Sequence, residues 1–188
     1  MDMDFHQLTN QITNEIQLVL NQVSEQSIIA LRQALLSGGR IFVAGRGRSG
    51  LQMKGAAMRL MHLGMQVYVI GDATTPAITN RDLLLIGSGS GSTLSLVQYA
   101  EKAKTLGAQI ALITTDANSL IAKMANVVVA VPAPTPKVKE KREFNSIQPM
   151  GTLFEQSLGI LLDSIILQCM EMVEKSSEEM FLLHANLE

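Results

Sequence analysis

The chain has 188 residues, of which 47% are apolar, and this is enough for one compact domain with an ordinary core. Its 15 basic and 17 acidic residues give a net charge of −2, so no excess of positive charge favours nucleic acid or an anionic membrane as a partner. Aromatic residues make up 4% of the chain and Trp is absent, which argues against stacking platforms for single-stranded nucleic acid.

Cysteine content and the first residues bear on the cellular compartment. The one cysteine, Cys169, excludes an internal disulfide and a metal site built from several cysteines. Residues 1–4 lack the basic-then-apolar order of a signal peptide, and Asp163 interrupts the longest apolar stretch. We therefore expect a cytoplasmic protein with no membrane span and no membrane partner.

Residues 1–37 carry apolar side chains at intervals of three and four, the period of a helix. This spacing predicts one long or two short N-terminal helices, ended by Gly38 and Gly39.

Five short apolar runs follow, at residues 41–44, 67–70, 83–86, 110–113 and 127–131. Apolar and polar residues do not alternate within them, as in parallel strands covered by helices on both faces. Helical segments fit between them at 49–62, 93–106 and 119–124. Residues 40–131 therefore predict the α/β core of a three-layer sandwich with a five-stranded parallel sheet.

The remainder of the chain changes character twice. Residues 132–148 are rich in Pro and in charged residues and show no periodicity, which predicts a solvated surface loop. Its basic cluster could reach a phosphate, but the interspersed acidic residues favour a loop that is simply solvated. Residues 149–188 predict C-terminal helices and a tail, with a long helix over 153–173 and a last one begun by a Ser176–Glu179 capping box. No repeat or second domain is visible, so we expect one domain over 1–188.

A glycine-rich loop, Gly-Arg-Gly-Arg-Ser-Gly at residues 45–50, lies between the first strand and a helix. Strand-to-helix turns of this kind bind anions with backbone N–H groups and the helix dipole. The loop also fits the dinucleotide pattern G-x-G-x-x-G, with Asp72 placed to bind a ribose. A third interpretation is a plain turn with Ser49 as the helix N-cap.

A second loop, Gly-Ser-Gly-Ser-Gly-Ser-Thr at residues 87–93, follows the third strand and also opens a helix. Hydroxyl groups and exposed amides can bind one phosphate dianion without a lysine. A flexible linker has a similar composition, but linkers rarely separate a buried strand from a helix. This loop favours a phosphate over a dinucleotide.

These loops, together with Met-Arg-Leu-Met-His at 58–62, residues 147–156 and the ending His-Ala-Asn-Leu-Glu, resemble the sugar isomerase (SIS) domain family. The last two segments are similar to its 6-phospho-3-hexuloisomerases of the ribulose monophosphate pathway. The resemblance covers nearly the whole chain. It implies a sugar-phosphate isomerase that forms a homo-oligomer, typically a tetramer, with sites completed by neighbouring subunits.

The resemblance also implies site residues. By matching positions, the substrate phosphate is held by Ser49, Ser88, Ser90 and Thr93, with Gly47, Arg48 and Gly50 as weaker candidates. Two departures bear on substrate preference. Relatives commonly carry an acidic residue in place of Ser92 and a small one in place of Arg46, so this chain should have a more basic site.

Moving a carbonyl between C2 and C3 of a hexose phosphate passes through an enediol and requires one base that removes and returns a proton. No metal, redox cofactor or covalent nucleophile is required, so we expect none. Under the resemblance, Glu155 at a helix start is the catalytic base. Its spacing from Thr152 also fits a capping box, which by spacing alone is the stronger interpretation.

Two histidines are candidates for the acid that polarises the carbonyl and moves the hydroxyl proton. His184 lies in the tail and could enter a neighbouring subunit's site, or simply belong to a frayed terminus. His62 lies in a methionine-rich helix segment, where a packed or interface histidine is equally consistent.

Other functions stay open at this point. An aldose–ketose isomerase for another sugar phosphate fits the same loops, and so does a sugar-phosphate sensor without catalysis. The segment before Gly38 is too short and too acidic for a helix-turn-helix module. Dinucleotide binding predicts instead that Asp72 contacts a ribose and that the second loop is unused.

Overall fold

Helices and strands alternate along most of the chain. The structure, a computed structural model, describes residues 4–37, 39–135 and 145–187. Its elements in order are α1 (Phe5–Leu20), α2 (Glu25–Leu35), β1 (Ile41–Gly45), α3 (Gly47–His62), β2 (Val67–Val69), β3 (Leu83–Gly87), α4 (Leu94–Thr105), β4 (Gln109–Thr114), β5 (Val127–Ala130), α5 (Thr152–Met172) and α6 (Ser177–Phe181).

The element predictions are confirmed with one exception. Two separate helices precede the sheet, and the Ser176–Glu179 capping box begins α6. The predicted helix at 119–124 is wrong, because this segment forms turns and the Ile121 amide donates to the Gly91 carbonyl instead of continuing a helix. Part of the predicted loop at 132–148, with its basic cluster at 137–142, lies outside the described residues.

The five strands form one parallel sheet in the order β2-β1-β3-β4-β5, which confirms the predicted fold class. The chain leaves β1 toward β2 on one side and returns to β3 on the other. In sheets of this kind the ligand crevice opens beyond the carboxyl ends of the two strands where the direction reverses. Here those strands are β1 and β3, which carry the two glycine-rich loops.

Both faces of the sheet are covered, which explains the unbroken apolar strands. Ile41 and Val43 of β1 face a core cluster that includes residues of α1, α2, α3 and α5, whereas Phe42 and Ala44 face the side of α4. Successive strand residues point to opposite faces, so both sets must be apolar when both faces are buried.

Helix α5 is the longest element and part of the core. By length and composition alone it is apolar enough to cross a membrane, contrary to the sequence-based expectation, because one aspartate does not outweigh its apolar residues. Half of its most apolar stretch is buried inside the protein, and ten of its 21 residues are buried. Core helices of globular proteins pass the same test of length and composition.

The turn between β1 and α3 is unusually tight. Helix α3 begins at Gly47 with Arg46 at its N-cap, so the interpretation of Ser49 as the N-cap is wrong. The Gly50 amide donates to the Arg46 carbonyl at 3.2 Å. A Cβ on Gly50 would lie 2.9 Å from the Gly45 carbonyl oxygen, so a side chain here would force the strand end and the helix apart.

A buried carboxylate fixes the opposite, amino end of the sheet. Asp82, only 4% exposed, accepts two hydrogen bonds from the Arg40 guanidinium, from Nε to Oδ1 at 3.0 Å and from Nη2 to Oδ2 at 2.7 Å, and one from the Arg40 amide at 3.3 Å. It also accepts from the Thr79 amide and hydroxyl at 2.6 and 2.8 Å. The hydrogen bonds from Arg40 and then Thr79 hold the pKa of Asp82 well below its usual range, against the opposing effect of burial.

Asp82→Asn should lower the free energy of unfolding at pH 7 by about 2 kcal/mol, because the half-buried donors of Arg40 and Thr79 lose their charged acceptor. The folded pKa is depressed, so the stabilisation is complete above the unfolded value of about 3.9 and is lost as the pH falls below it. Urea unfolding should therefore show a difference in the free energy of unfolding between wild type and variant, and this difference should become smaller as the pH is lowered. Asp72→Asn, at an exposed position, is the control, and an equal loss in both variants would contradict the assignment.

Gly50→Ala should destabilise the protein by roughly 2 kcal/mol, because its Cβ meets backbone that cannot move cheaply. Gly55→Ala on the same helix is a matched control, since its Cβ would have no neighbour within 4 Å. There the better helix propensity of Ala should stabilise the protein by up to about 1 kcal/mol. Urea midpoints that shift in the same direction for both variants would show that the tight turn is not limiting.

Candidate active site

A cleft of about 390 Å³ opens at the carboxyl edge of the sheet, between the loops after β1 and β3 and the start of α5. Most of the predicted site residues line it, namely Gly47, Arg48, Ser49, Ser88, Ser90, Thr93 and Glu155. Gly50 does not, because it lies beneath the cleft in contact with Gly45. Its part is therefore to shape the loop, and the weaker prediction that it touches substrate finds no support in this geometry.

The second loop, residues 87–93, called the serine-rich loop below, is held in place by hydrogen bonds to the neighbouring strand β4 and the residue that follows it. The Ser88 amide donates to the Ile113 carbonyl at 3.0 Å, and the Thr115 amide and hydroxyl donate to the Gly89 carbonyl at 3.0 and 2.8 Å. Ser88 and Ser49 are both buried. The loop thus presents hydroxyl groups at a fixed place, and a bound group would not have to order it first.

Two helix starts point into this cleft. Helix α3 begins in the first loop, and α4 follows Thr93, which makes no side-chain cap bond. Neither helix has an acidic residue in its first turn. Free N–H groups and the positive end of the helix dipole favour an anion at such positions. The loop side of the cleft is therefore suited to a phosphate.

Glu155 faces the loops from the other wall. Helix α5 has Gly151 as its N-cap without a side-chain cap bond, so the capping box between Thr152 and Glu155 does not form, and that interpretation is wrong. The carboxylate instead pairs with Arg48, with Nε 3.2 Å from Oε2, and its side chain keeps 20% exposure. Arg48 also donates to the Thr152 hydroxyl at 3.3 Å. The carboxylate is thus oriented within the cleft and open to a ligand.

The segment leading into α5 is tied down by a residue that sequence reasoning missed. Glu15 of α1 accepts hydrogen bonds from the Ser146 hydroxyl at 2.6 Å, the Ile147 amide at 2.9 Å and the Gln148 side chain at 3.1 Å. These bonds fix the chain just before Met150, which lines the cleft with a positive φ of 54°. The signal available in the sequence was an acidic residue on the apolar side of an amphipathic helix.

The two candidate histidines lie together, but away from Glu155 of the same chain. The rings of His62 and His184 stack with centroids 5.4 Å apart, in a separate cavity of about 480 Å³ that also includes Arg59 and Phe181. Burial, followed by the charges of Arg59 and His184, lowers the pKa of His62. Neither histidine lines the cleft.

Arg46 has partners that no sequence spacing indicates. Its Nε donates to the Ser95 hydroxyl at 3.0 Å and its Nη2 to the Tyr99 hydroxyl at 2.8 Å, both on α4. The guanidinium carbon lies 5.5 Å from the centre of the Tyr99 ring. The arginine is therefore held at the cleft, which it helps to line.

The geometry does not favour a dinucleotide or a metal. Asp72 lies in a different cavity, next to Gly45, Arg46 and Gly50 of the first loop, and does not line the cleft that contains the second loop. The strand order is also not that of a dinucleotide-binding sheet, in which the reversal joins strands one and four. Within residues 4–37, 39–135 and 145–187, no three His, Cys, Asp or Glu residues form a group that could bind a metal ion.

Comparison with known proteins agrees with this geometry. The SIS domain family matches residues 34–158. The 3-hexulose-6-phosphate isomerase of Bacillus subtilis (strain 168) is 42% identical over 182 residues, covering 97% of this chain and 96% of that protein. The enzyme of the same name from Mycobacterium gastri is 42% identical over 184 residues, covering 94% and 92%.

A solved structure is similar over its whole length. The hypothetical protein MJ1247 from Methanococcus jannaschii, for which a function of 3-hexulose-6-phosphate isomerase was inferred, superposes with a TM-score of 0.83 at 31% identity. The match covers 96% of this chain and 98% of that one. The chain belongs to the SIS domain family and, within it, to the family of the 3-hexulose-6-phosphate isomerases.

Proposed function

We propose that this protein is an isomerase that interconverts 3-hexulose 6-phosphate and fructose 6-phosphate. The observation that carries the proposal is one cleft with a phosphate-binding loop on one wall and the Glu155 carboxylate on the other. The names of its relatives agree with this substrate. Its setting is the ribulose monophosphate pathway of the cytoplasm, and residues 1–188 act as one domain.

The phosphate end of the sugar is held by the hydroxyl groups of Ser49, Ser88, Ser90 and Thr93. Gly47 and Arg48 border the same pocket. Such binding would place the phosphate at the helix starts, where negative charge is favourable, and would direct the sugar carbons toward α5. Binding energy from the phosphate then serves to position the reacting carbons, which is how remote contacts assist catalysis.

Glu155 carries the proton between the carbons. Starting from the 3-ketose, the carboxylate removes the proton from C2, and the electron pair forms the C2–C3 double bond of an enediolate with its charge on O3. The same carboxyl group returns the proton to C3, while the C2 hydroxyl loses its proton and becomes the new carbonyl. No electrons leave the sugar, so the step requires no redox cofactor, and a carboxylate base can carry the proton without help from a metal.

A second group must protonate O3 and accept the proton from O2. His184 and His62 are the candidates, and because both lie away from their own chain's Glu155, we propose that they reach the cleft of a neighbouring subunit. Burial and then the charge of Arg59 lower the pKa of His62, which favours its neutral form. The protein would then be a homo-oligomer, a dimer or tetramer, with shared sites.

Exposed apolar side chains support such an assembly. Several lie on α3, on α5 and in the C-terminal segment near the histidine pair, namely Leu51, Met58, Met61, Ile160, Leu167, Phe181 and Leu182. Helices α3 and α5 pack against each other, and exposed apolar residues on neighbouring helices are typical of contacts between proteins.

Glu155→Gln should lower kcat by at least about a thousandfold, because the amide cannot accept the proton from C2. Phosphate binding should persist, since the carboxylate lies on the opposite wall. The rate of fructose 6-phosphate formation from 3-hexulose 6-phosphate measures the first effect, and calorimetric titration with fructose 6-phosphate measures the second.

Two variants serve as contrasts for this prediction. Glu171→Gln, at an exposed position near the end of the same helix, should leave kcat unchanged. Ser88→Ala combined with Ser90→Ala should raise KM before it changes kcat, because it removes phosphate ligands. Normal kcat in Glu155→Gln would contradict the assigned base.

Shared sites predict complementation between two inactive variants. Equal amounts of the Glu155→Gln and His184→Ala proteins are mixed, dissociated into subunits and allowed to reassemble. About a quarter of the sites should then contain both the glutamate and the histidine. Each variant treated alone should remain inactive. If the mixture also stays inactive although native gels show mixed oligomers, the histidine and the glutamate of one site come from the same chain.

A further inference from the structure

Arg46 is a cation at the cleft whose partners in the structure are all neutral. Ser95 and Tyr99 bind its guanidinium, and the Tyr99 ring packs against it. In the described parts of the chain it forms no ion pair with a carboxylate. The one acidic residue that lines the cleft, Glu155, is already paired with Arg48. Arg46 therefore contributes to the pocket a positive charge that no ion pair among the described residues neutralises; Asp72 shares a second cavity with it but forms no such pair.

The place where this charge is held is electrostatically unfavourable for the free protein. Ser95 lies in the first turn of α4, so the guanidinium is fixed beside the positive end of that helix. A cation there opposes the helix dipole, whereas an anion is stabilised by it. An anion bound beside Thr93 would interact favourably with both the helix start and Arg46.

We propose that Arg46 is a specificity-determining residue that binds the phosphoryl group of the substrate and favours its dianion. The inference rests on the proposed function and extends it to a residue outside the serine-rich loop. Arg46 supplies the full positive charge that the hydroxyls of residues 88–93 do not carry. Charge-assisted hydrogen bonds of this kind are about twice as strong as those between neutral groups.

Ser95 and Tyr99 are then positioning residues. Two hydrogen bonds and the packed ring restrict an otherwise long and mobile side chain, so that less conformational entropy is lost when phosphate binds. The tether also keeps Arg46 apart from Glu155, whose partner is Arg48. The two arginines thus divide the cleft, one at the phosphate end and one at the base.

Arg46→Gln should weaken binding of inorganic phosphate and of fructose 6-phosphate by roughly tenfold at low salt, as expected for one lost charged hydrogen-bond partner. KM should rise by a similar factor while kcat stays within about twofold, because the contact is the same in substrate and transition state. Raising the salt concentration from roughly 20 to 200 mM should weaken phosphate binding by the wild type more than phosphate binding by the variant.

Arg81→Gln is the matched control. This exposed arginine lies at the amino end of β3, the opposite edge of the sheet, and its loss changes the net charge equally. Its phosphate affinity should equal that of wild type. Tyr99→Phe keeps the aromatic ring and the charge of Arg46 but loses the 2.8 Å hydrogen bond. It should therefore weaken phosphate binding by a smaller factor than Arg46→Gln does and leave kcat unchanged.

Equal phosphate affinity in Arg46→Gln and Arg81→Gln would overturn the inference. Wild-type affinity in Tyr99→Phe would overturn the positioning role. Phosphate binding is measured by calorimetry without turnover, so the two proposals fail separately. A wild-type protein that binds phosphate through Arg46 but does not isomerise the sugar would contradict the proposed function alone.

Discussion

The parallel pairing of β1 with β3 is the constraint on which the site depends. Its register places Gly45 opposite Gly87, so both strands end at the same level and release their glycine-rich loops side by side. Since β2 lies on the far side of β1, no strand fills the space between the two loops above the sheet. A cleft at this point follows from the strand order itself.

Glycines in these loops also set the position of Glu155, the proposed base. A Cβ on Gly87 would approach Leu158 to 3.0 Å, and one on Gly89 would lie 3.3 Å from the Phe154 ring. The bare backbone therefore lets α5 pack close beneath the serine-rich loop, with Phe154 and Leu158 buried. Glu155, next to Phe154 in the chain, is carried to the cleft by this packing. One helix thus serves both as part of the core and as support for the Glu155 carboxylate.

Much of the fold followed from the sequence because buried parallel strands and amphipathic helices have distinct periods. The loops were located for the same reason, since each begins where an apolar run ends. Spacing alone did not favour Glu155 as the base, because Thr152 and Glu155 have the spacing of a capping box. The resemblance named it as the base, and the observed cap at Gly151 removes the capping-box interpretation. The turns at 119–124 were predicted as a helix, and the helix does not form because the Ile121 amide bonds across to the Gly91 carbonyl.

Contacts between distant segments lay beyond the sequence patterns. No local spacing relates Arg48 to Glu155, Glu15 to Ser146, or His62 to His184, since each pair is brought together only by packing. The histidine pair in particular separates two predicted catalytic groups from the predicted base. This separation is what makes the assembly of subunits part of the chemical account.

The most direct test of the account is a time course of fructose 6-phosphate with the purified protein in D₂O, followed by proton and carbon NMR. Proton transfer by Glu155 between C2 and C3 predicts signals of a 3-hexulose 6-phosphate and no deuterium at C1. Exchange with solvent during transfer would add deuterium at C2 of the 3-ketose and at C3 of re-formed fructose 6-phosphate. Deuterium at C1 with an aldose product would contradict the account and indicate an aldose–ketose isomerase, and an unchanged sugar would contradict isomerisation of this substrate.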